Sequence, residues 1–162
     1  FERELKSEIE RSAHSKVAVL FIDVDDFKFI NDRFGHSVGD EVIKYVAGCI
    51  KQRVKGSGFA GRFGGDEFVL CITDPKQIEE IESLSLDLID ELYEGYHSEL
   101  ANVSINVKAS IGIAFYPEHG DDSNKVVAAA DEAMYFVKKN GKANYHIYQP
   151  EDSEMEDLQH TL

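Results

Sequence analysis

The run Val17-Ala18-Val19-Leu20-Phe21-Ile22, closed by Asp23 and followed by Val24-Asp25-Asp26, decides how the rest of the chain is arranged. A continuous apolar run ending in a carboxylate reads as a strand buried on both faces rather than one with a solvated side. Such a strand lies in the middle of a sheet, and here it delivers an acid at its C-terminal end. The segments on either side read as its cover.

Upstream, Phe1, Leu5 and Ile9 keep helical spacing within Phe1 to Arg11 and predict the end of a leading helix. Downstream, Asp25 and Asp26 stand where they could cap a short helix, in which Phe27, Ile30 and Phe34 keep the spacing until Gly35 stops it. A second helix is expected from about Asp40, with an apolar stripe of Val42, Ile43, Val46, Ile50 and Val54 that Gly56 and Gly58 end. Phe59 to Phe63 and Glu67 to Ile72 are strand-like runs around Gly64-Gly65-Asp66, and Gly-Gly signals a two-residue hairpin. Asp74-Pro75 opens a long acidic helix through Ile78, Ile81, Leu84, Leu88 and Leu92. Val103 to Phe115 alternates as one strand, ending at Pro117. Ser123 begins a last helix through Val126, Val127, Ala130, Met134 and Val137, with Lys138 and Lys139 in its final turn and Asn140-Gly141 as its cap. Tyr145 to Tyr148 is a final short strand. The order predicts an α+β domain with a largely antiparallel sheet of about five strands covered by helices, and not a doubly wound fold.

The 162 residues fit one domain, and 43% hydrophobic with 30% charged residues is an ordinary globular balance. Seventeen Lys and Arg against 31 Asp and Glu give a net charge of −14, a field that repels polyanions and argues against broad nucleic-acid binding. A phosphate substrate would need its charge managed locally, by metal ions and a few placed lysines. Cys49 and Cys71 lie in apolar stretches and read as buried reduced thiols, in keeping with a cytoplasmic setting. No apolar run approaches the ~18 residues of a membrane span, and the start at Phe1 has no signal-peptide pattern. No membrane contact is expected of this domain, although a parent protein could carry membrane segments elsewhere. Residues 150–162, dense in acids, read as a solvated tail or a linker, leaving 1–149 as the folded domain.

Chemistry points to the acids. Asp23, Asp25 and Asp26 end the apolar strand, and Asp66 and Glu67 sit at the hairpin. Acids at strand ends and turns are usually solvated or capping residues. If the hairpin lies beside the first strand, however, Asp23 and Asp66 converge, and one or two carboxylates with phosphate oxygens and water is the coordination Mg²⁺ prefers. Two ions there could activate a nucleophilic oxygen and stabilise a leaving pyrophosphate.

Asp23-Val24-Asp25-Asp26-Phe27-Lys28-Phe29-Ile30-Asn31-Asp32, Gly35-His36-Ser37-Val38-Gly39-Asp40 and Arg62-Phe63-Gly64-Gly65-Asp66-Glu67-Phe68 resemble, in order and spacing, the motifs of the GGDEF family of diguanylate cyclase domains. Ser110-Ile111-Gly112-Ile113-Ala114, Ala130-Asp131-Glu132-Ala133-Met134-Tyr135 and Lys138 to Lys142 look like the family's last long strand and helix, so the resemblance runs from about Val17 to Tyr148. It implies a palm-like fold shared with nucleotide cyclases and polymerases, and a Mg²⁺-dependent condensation of two GTP molecules into cyclic di-GMP across a homodimer, with release of two pyrophosphates. Two Mg²⁺ ions per site are implied, with Mn²⁺ a possible substitute.

Carried onto this sequence, the resemblance makes Asp23 and Asp66 metal ligands, with the Val24 carbonyl as a backbone ligand and Glu67 a further ligand or the proton acceptor. Asp66, Glu67 and Lys28 stand at the catalytic positions. Asn31 and Asp40 stand at the guanine-recognition positions, where a carboxylate can accept from the two adjacent donors on the base edge; helix-end and N-cap roles are their bland alternatives. Lys28, Lys138 and Lys142, with the amides around Phe27, stand at triphosphate-binding positions. Lys142 replaces a common arginine and loses a bidentate contact. His36 reads as structural and Lys139 as solvent-facing, while Arg62 could face the site or pair with an acid. Lys55 and Gly58 replace the Arg-x-x-Asp pair through which many relatives bind product, so no product inhibition is expected there. The family's opening Asp-x-Leu-Thr-Gly-Leu-x-Asn-Arg motif is missing, as if the chain begins just after it. A silent domain that binds GTP or a partner and regulates an attached module, with a sensor or EAL-type domain elsewhere in the parent, is the second reading. An unrelated palm-class nucleotidyl transferase, using ATP or a primer, is the third.

Overall fold

The structure, a computed structural model, describes residues 2–11, 16–54 and 58–152. Phe1, Lys55 of the expected inhibition position and most of the acidic tail lie outside these described residues. The chain runs α1 (Glu2–Arg11), β1 (Val17–Val24), α2 (Phe27–Phe34), α3 (His36–Lys51), β2 (Phe59–Arg62), β3 (Glu67–Thr73), α4 (Ile78–Glu94), β4 (Tyr96–Ser98), β5 (Val103–Ile105), β6 (Ala109–Tyr116), α5 (Ser123–Lys139) and β7 (Tyr145–Ile147). Five strands form the main sheet in the order β2-β3-β1-β6-β7, all pairs antiparallel except β6 with β7. The α+β architecture and the five-stranded sheet agree with the sequence expectation.

β1 is central, paired on one edge with β3 and on the other with β6. Its alternation feeds two cores. Ala18, Leu20, Ile22 and Val24 point into the larger one with Phe68, Leu70 and Ile72 of β3 and the apolar stripes of α3 and α4. Val17, Val19 and Phe21 point to the opposite face, against Val126, Ala129, Ala130 and Met134 of α5, with Leu5 of α1. Both cysteines are buried free thiols, as expected. Among the described residues no helix is long and apolar enough to cross a membrane.

Four local expectations need correction. The second helix starts at His36 rather than near Asp40: Gly35 takes φ 92 and its carbonyl accepts from the Gly39 amide, so the chain re-enters helix at once and Asp40 lies inside α3, not at its cap. The hairpin is longer than two residues. Phe63 N and Gly64 N both donate to the Glu67 carbonyl, at 2.8 and 3.3 Å, which leaves Gly64-Gly65-Asp66 as the loop, and neither glycine takes a positive φ. The long acidic helix opens at Ile78, not at Asp74-Pro75, since Asp74 takes φ 51 and its amide donates to Lys16 O instead. Val103 to Phe115 is two strands, not one. Ile105, Val107 and Ala109 are all buried, so the alternation persists, but Val107 N donates to Leu92 O of α4 and Val103–Ile105 pairs with Tyr96–Ser98 in a separate two-stranded sheet. Periodicity reports which way a side chain faces and not which strand its backbone joins.

α5 lies unusually near the sheet because β6 carries Gly112 beneath it: a Cβ there would fall 1.9 Å from the Ala130 carbonyl oxygen and 2.2 Å from the Met134 nitrogen. Gly112→Ala should therefore cost about 1–3 kcal/mol in urea unfolding through forced separation of helix and strand. Gly48→Ala, on the exposed side of α3 with nothing within 4 Å, should instead stabilise by roughly 0.5–1 kcal/mol in the same assay.

Candidate active site

β1 brings the acids together by the same alternation that builds the cores. Asp23 follows Phe21 on the face toward α5, opposite Glu67 of β3 and Ser110 of β6 in register, and Asp25 follows one step further. The hairpin loop folds over the strand end, where Val24 N donates to the Asp66 carbonyl at 3.1 Å. Arg62, whose role the sequence left open, holds this loop: its guanidinium donates to the carbonyls of Gly64 and Gly65.

The resulting pocket of charge is short of cations. Asp23 Oδ1 is buried and has no hydrogen-bond donor. Burial foremost, and then the nearby Asp66 and Glu67 carboxylates, push the Asp23 carboxyl up to about 7, against an opposing pull from Lys138. Glu67 is raised as well, by burial first and then by Asp131 and Asp66. Lys138, from the last turn of α5, stands 3.6 Å from Asp23 Oδ2 and 2.5 Å from Asp25 Oδ1. Lys142, in the loop after α5, pairs with Asp26 at 2.8 Å, and this contact lowers the Asp26 carboxyl.

α2 begins directly beyond these acids. Asp26, at its N-cap position, takes φ 56 and makes no capping hydrogen bond, so the amides of Phe27 and Lys28 head the helix while the Lys28 side chain is exposed. The Phe27 ring and the Asn31 amide turn toward α3, where a Cβ on Gly39 would lie 1.8 Å from Asn31 Oδ1. Asn31 is thereby placed against the residue preceding Asp40, which is exposed on α3. His36 heads α3 and is also exposed. Asp23, Val24, Asp66, Glu67 and Lys138 thus converge at one end of β1, with Lys142 beside them; Asn31 faces α3 at Gly39, and Asp40 is the next residue on that helix, exposed.

Two participants escaped the sequence reading. Asp25 was read as an acid that could cap the short helix and given no part in the chemistry, yet it is fully buried and accepts from Ser110, Lys138 and Ala143. Its spacing of two from Asp23 was the available signal. Asp131 sits seven residues before Lys138 on α5, two helical turns along one face, and its charge helps to raise the Glu67 carboxyl.

The residues present suit a divalent cation. Among the described residues no three His, Cys, Asp or Glu side chains are arranged to hold an ion unaided. Mg²⁺, however, ordinarily takes only one or two carboxylates and completes its shell with water and phosphate oxygens. A buried carboxylate oxygen without a donor, beside two further acids, is the corresponding partial set.

A family model described as "Diguanylate cyclase, GGDEF domain" matches residues 1–144. The chain is 35% identical to the bifunctional diguanylate cyclase/cyclic di-GMP phosphodiesterase MucR of Pseudomonas aeruginosa over 83% of its own length and 19% of that protein's. It is 32% identical to the cyclic di-GMP phosphodiesterase PdeR of Escherichia coli over 88% of its length and 21% of that protein's, so it spans about a fifth of these curated relatives. Among solved structures, the GGDEF domain of YfiN from Pseudomonas aeruginosa superposes with a TM-score of 0.91 at 30% identity, covering 97% of this chain and 92% of that one.

The charge imbalance has a measurable consequence without metal. Folded Asp23 keeps its proton to about pH 7 whereas the unfolded residue releases it near 3.8, so the folded state binds the extra proton in between and its stability falls as pH rises through that window. Denaturation in chelator should show this decline between about pH 4 and 7 for the native chain. Asp23→Asn should flatten it and be the more stable protein at pH 8, and added Mg²⁺ should stabilise the native chain but not the variant.

Proposed function

Because the chain belongs to the GGDEF family, we propose that it is a diguanylate cyclase that joins two GTP molecules into cyclic di-GMP as a dimer of domains. The observation that carries this reading is the donor-free oxygen of Asp23 beside Asp66 and Glu67, with a lysine on its other side and the Asn31–Asp40 pair on the adjoining helices. The position that loses function most readily, the acid set, is intact.

In this reading Asp23, Asp66 and the Val24 carbonyl hold Mg²⁺, with Glu67 nearby. The cation, when bound, polarises the phosphoryl oxygens and neutralises the charge that develops on pyrophosphate. Lys138, Lys142 and Lys28 bind the triphosphate, together with the first amides of α2. Asp40 accepts from the two donors of the guanine edge and the Asn31 amide pairs with the base, a pattern that adenine does not match. Each 3′-oxygen forms a bond to the α-phosphorus of the GTP held by the second copy as the bond to pyrophosphate breaks, and Glu67, with its raised proton affinity, receives the hydroxyl proton. Lys142 must leave Asp26 to reach phosphate. The net charge of −14 opposes pairing of two copies, so dimer formation falls to other parts of the parent protein, such as a sensor or EAL-type domain. The substrate and the two buried thiols agree with a cytoplasmic location.

The regulatory, catalytically silent reading draws on the relative named as a phosphodiesterase, which contains a matching region. Turnover separates the two. The chain fused to a dimerising coiled coil should convert Mg·GTP, but not ATP, into cyclic di-GMP, and Asp66→Ala should abolish product; tight GTP binding with no product would favour regulation.

Gly39→Ala tests base recognition without touching the acids. The added methyl would fall 1.8 Å from Asn31 Oδ1 and 3.3 Å from Phe27 Cζ, so the flexible Asn31 side chain must turn away and the Phe27 ring shift by a few tenths of an ångström. Folding stability should therefore change little while GTP binding by calorimetry weakens roughly tenfold, the worth of about one hydrogen bond to a polar edge.

A further inference from the structure

Asp25 has no part in the chemistry just described, yet its environment is built around it. Its side chain is wholly screened from solvent. Oδ1 accepts from Ser110 Oγ at 2.7 Å and from Lys138 Nζ at 2.5 Å; Oδ2 accepts from Ala143 N at 2.9 Å; and the Asp25 amide donates to Lys108 O at 2.8 Å. One carboxylate thus ties β1 to β6, to the last turn of α5 and to the loop that follows.

We infer that Asp25 is the positioning residue of the phosphate site: it holds the Lys138 ammonium beside the metal-binding acids rather than on them, and anchors the loop that carries Lys142. The inference rests on the reading of Lys138 and Lys142 as triphosphate contacts. A lysine is a mobile point charge on a four-carbon stem. Left to itself next to Asp23, Asp66 and Glu67, it would either reach for solvent or settle on the donor-free Asp23 oxygen and fill the place a divalent cation needs. The buried carboxylate of Asp25 prevents both, because it lies closer to Nζ than Asp23 does, 2.5 against 3.6 Å. Ser110 and the Ala143 amide fix the plane of that carboxylate, so the ammonium is held in one place. Ala143 takes φ 49 and Lys142 φ 63, and the amide contact to Asp25 secures this left-handed pair at the mouth of the site.

Asp25→Asn keeps the shape and removes the charge; Lys138→Met removes the cation and keeps the stem. Binding of a non-hydrolysable GTP analogue with Mg²⁺, measured by calorimetry on this chain, should weaken about tenfold for K138M and at least about fivefold for D25N, as charged hydrogen bonds are lost. If Asp25 acts through Lys138, the double variant should bind within about twofold of K138M alone. Melting in chelator gives an independent reading, since K138M strands a buried carboxylate: its melting temperature should fall by several degrees, and adding D25N should recover part of the loss. D25N binding like the native chain, losses that multiply in the double variant, or a double variant less stable than K138M would overturn the inference. K138M binding like the native chain would instead overturn the assignment of Lys138 to the triphosphate, whatever Asp25 does.

Discussion

Because β1 is hydrogen-bonded along both edges, its side chains have only two places to go. Even-numbered residues from Ala18 to Val24 enter the core under α3 and α4, and odd-numbered residues from Val17 onward face α5. Asp23 and Asp25 inherit the second direction and meet the end of α5. That helix can reach them because Gly112 and a row of alanines, Ala129, Ala130 and Ala133, let it lie close to the sheet. The lysine in its last turn then falls among the acids with little freedom to be elsewhere. Close packing at one end of the helix and charge placement at the other are one geometric fact.

The electrostatics follow from that placement. Three carboxylates share a partly buried corner with one ammonium that is mainly engaged by a fourth. Taking charges out of water is costly unless they are compensated, and the raised proton affinities of Asp23 and Glu67 register the shortfall. A site left negative in this way favours divalent cations, and through them a polyphosphate that the protein's overall field would otherwise repel. Lys142 stands on the rim in an exposed pair with Asp26, an interaction that solvent weakens.

Much of this could be read before the structure. The apolar run from Val17 to Ile22 announced a central strand, the glycines around Asp66 announced a turn beside it, and the lysines at the end of the last helix were visible as a pair. What escaped depended on partners distant in sequence. The break between β5 and β6 leaves no mark on the alternation, since Val107 stays buried while its amide turns to Leu92. The early start of α3 turned on the backbone angle of Gly35. Asp25 looked like one more acid at a strand end because Ser110 and Ala143 lie 85 and 118 residues away. Arg62 looked able to face the site, and its hold on two loop carbonyls needed the loop's shape.

The pairing of β1 also bears on how the chain avoids folding incorrectly. A slip of one residue against β3 and β6 would exchange the two faces of the strand, sending Asp23 and Asp25 into the larger core among Phe68, Leu70 and Ile111 and turning Val24 toward Lys138. Aliphatic residues alone would resist that error weakly, since both cores are apolar and the run from Val17 to Ile22 suits either. Two buried carboxylates make it costly, whether they stay charged or take up protons, because among the described residues the larger core holds no cation to receive them. The acids at the end of β1 are thus also marks by which the central strand finds its register, and a chain stripped of them would lose fidelity of assembly.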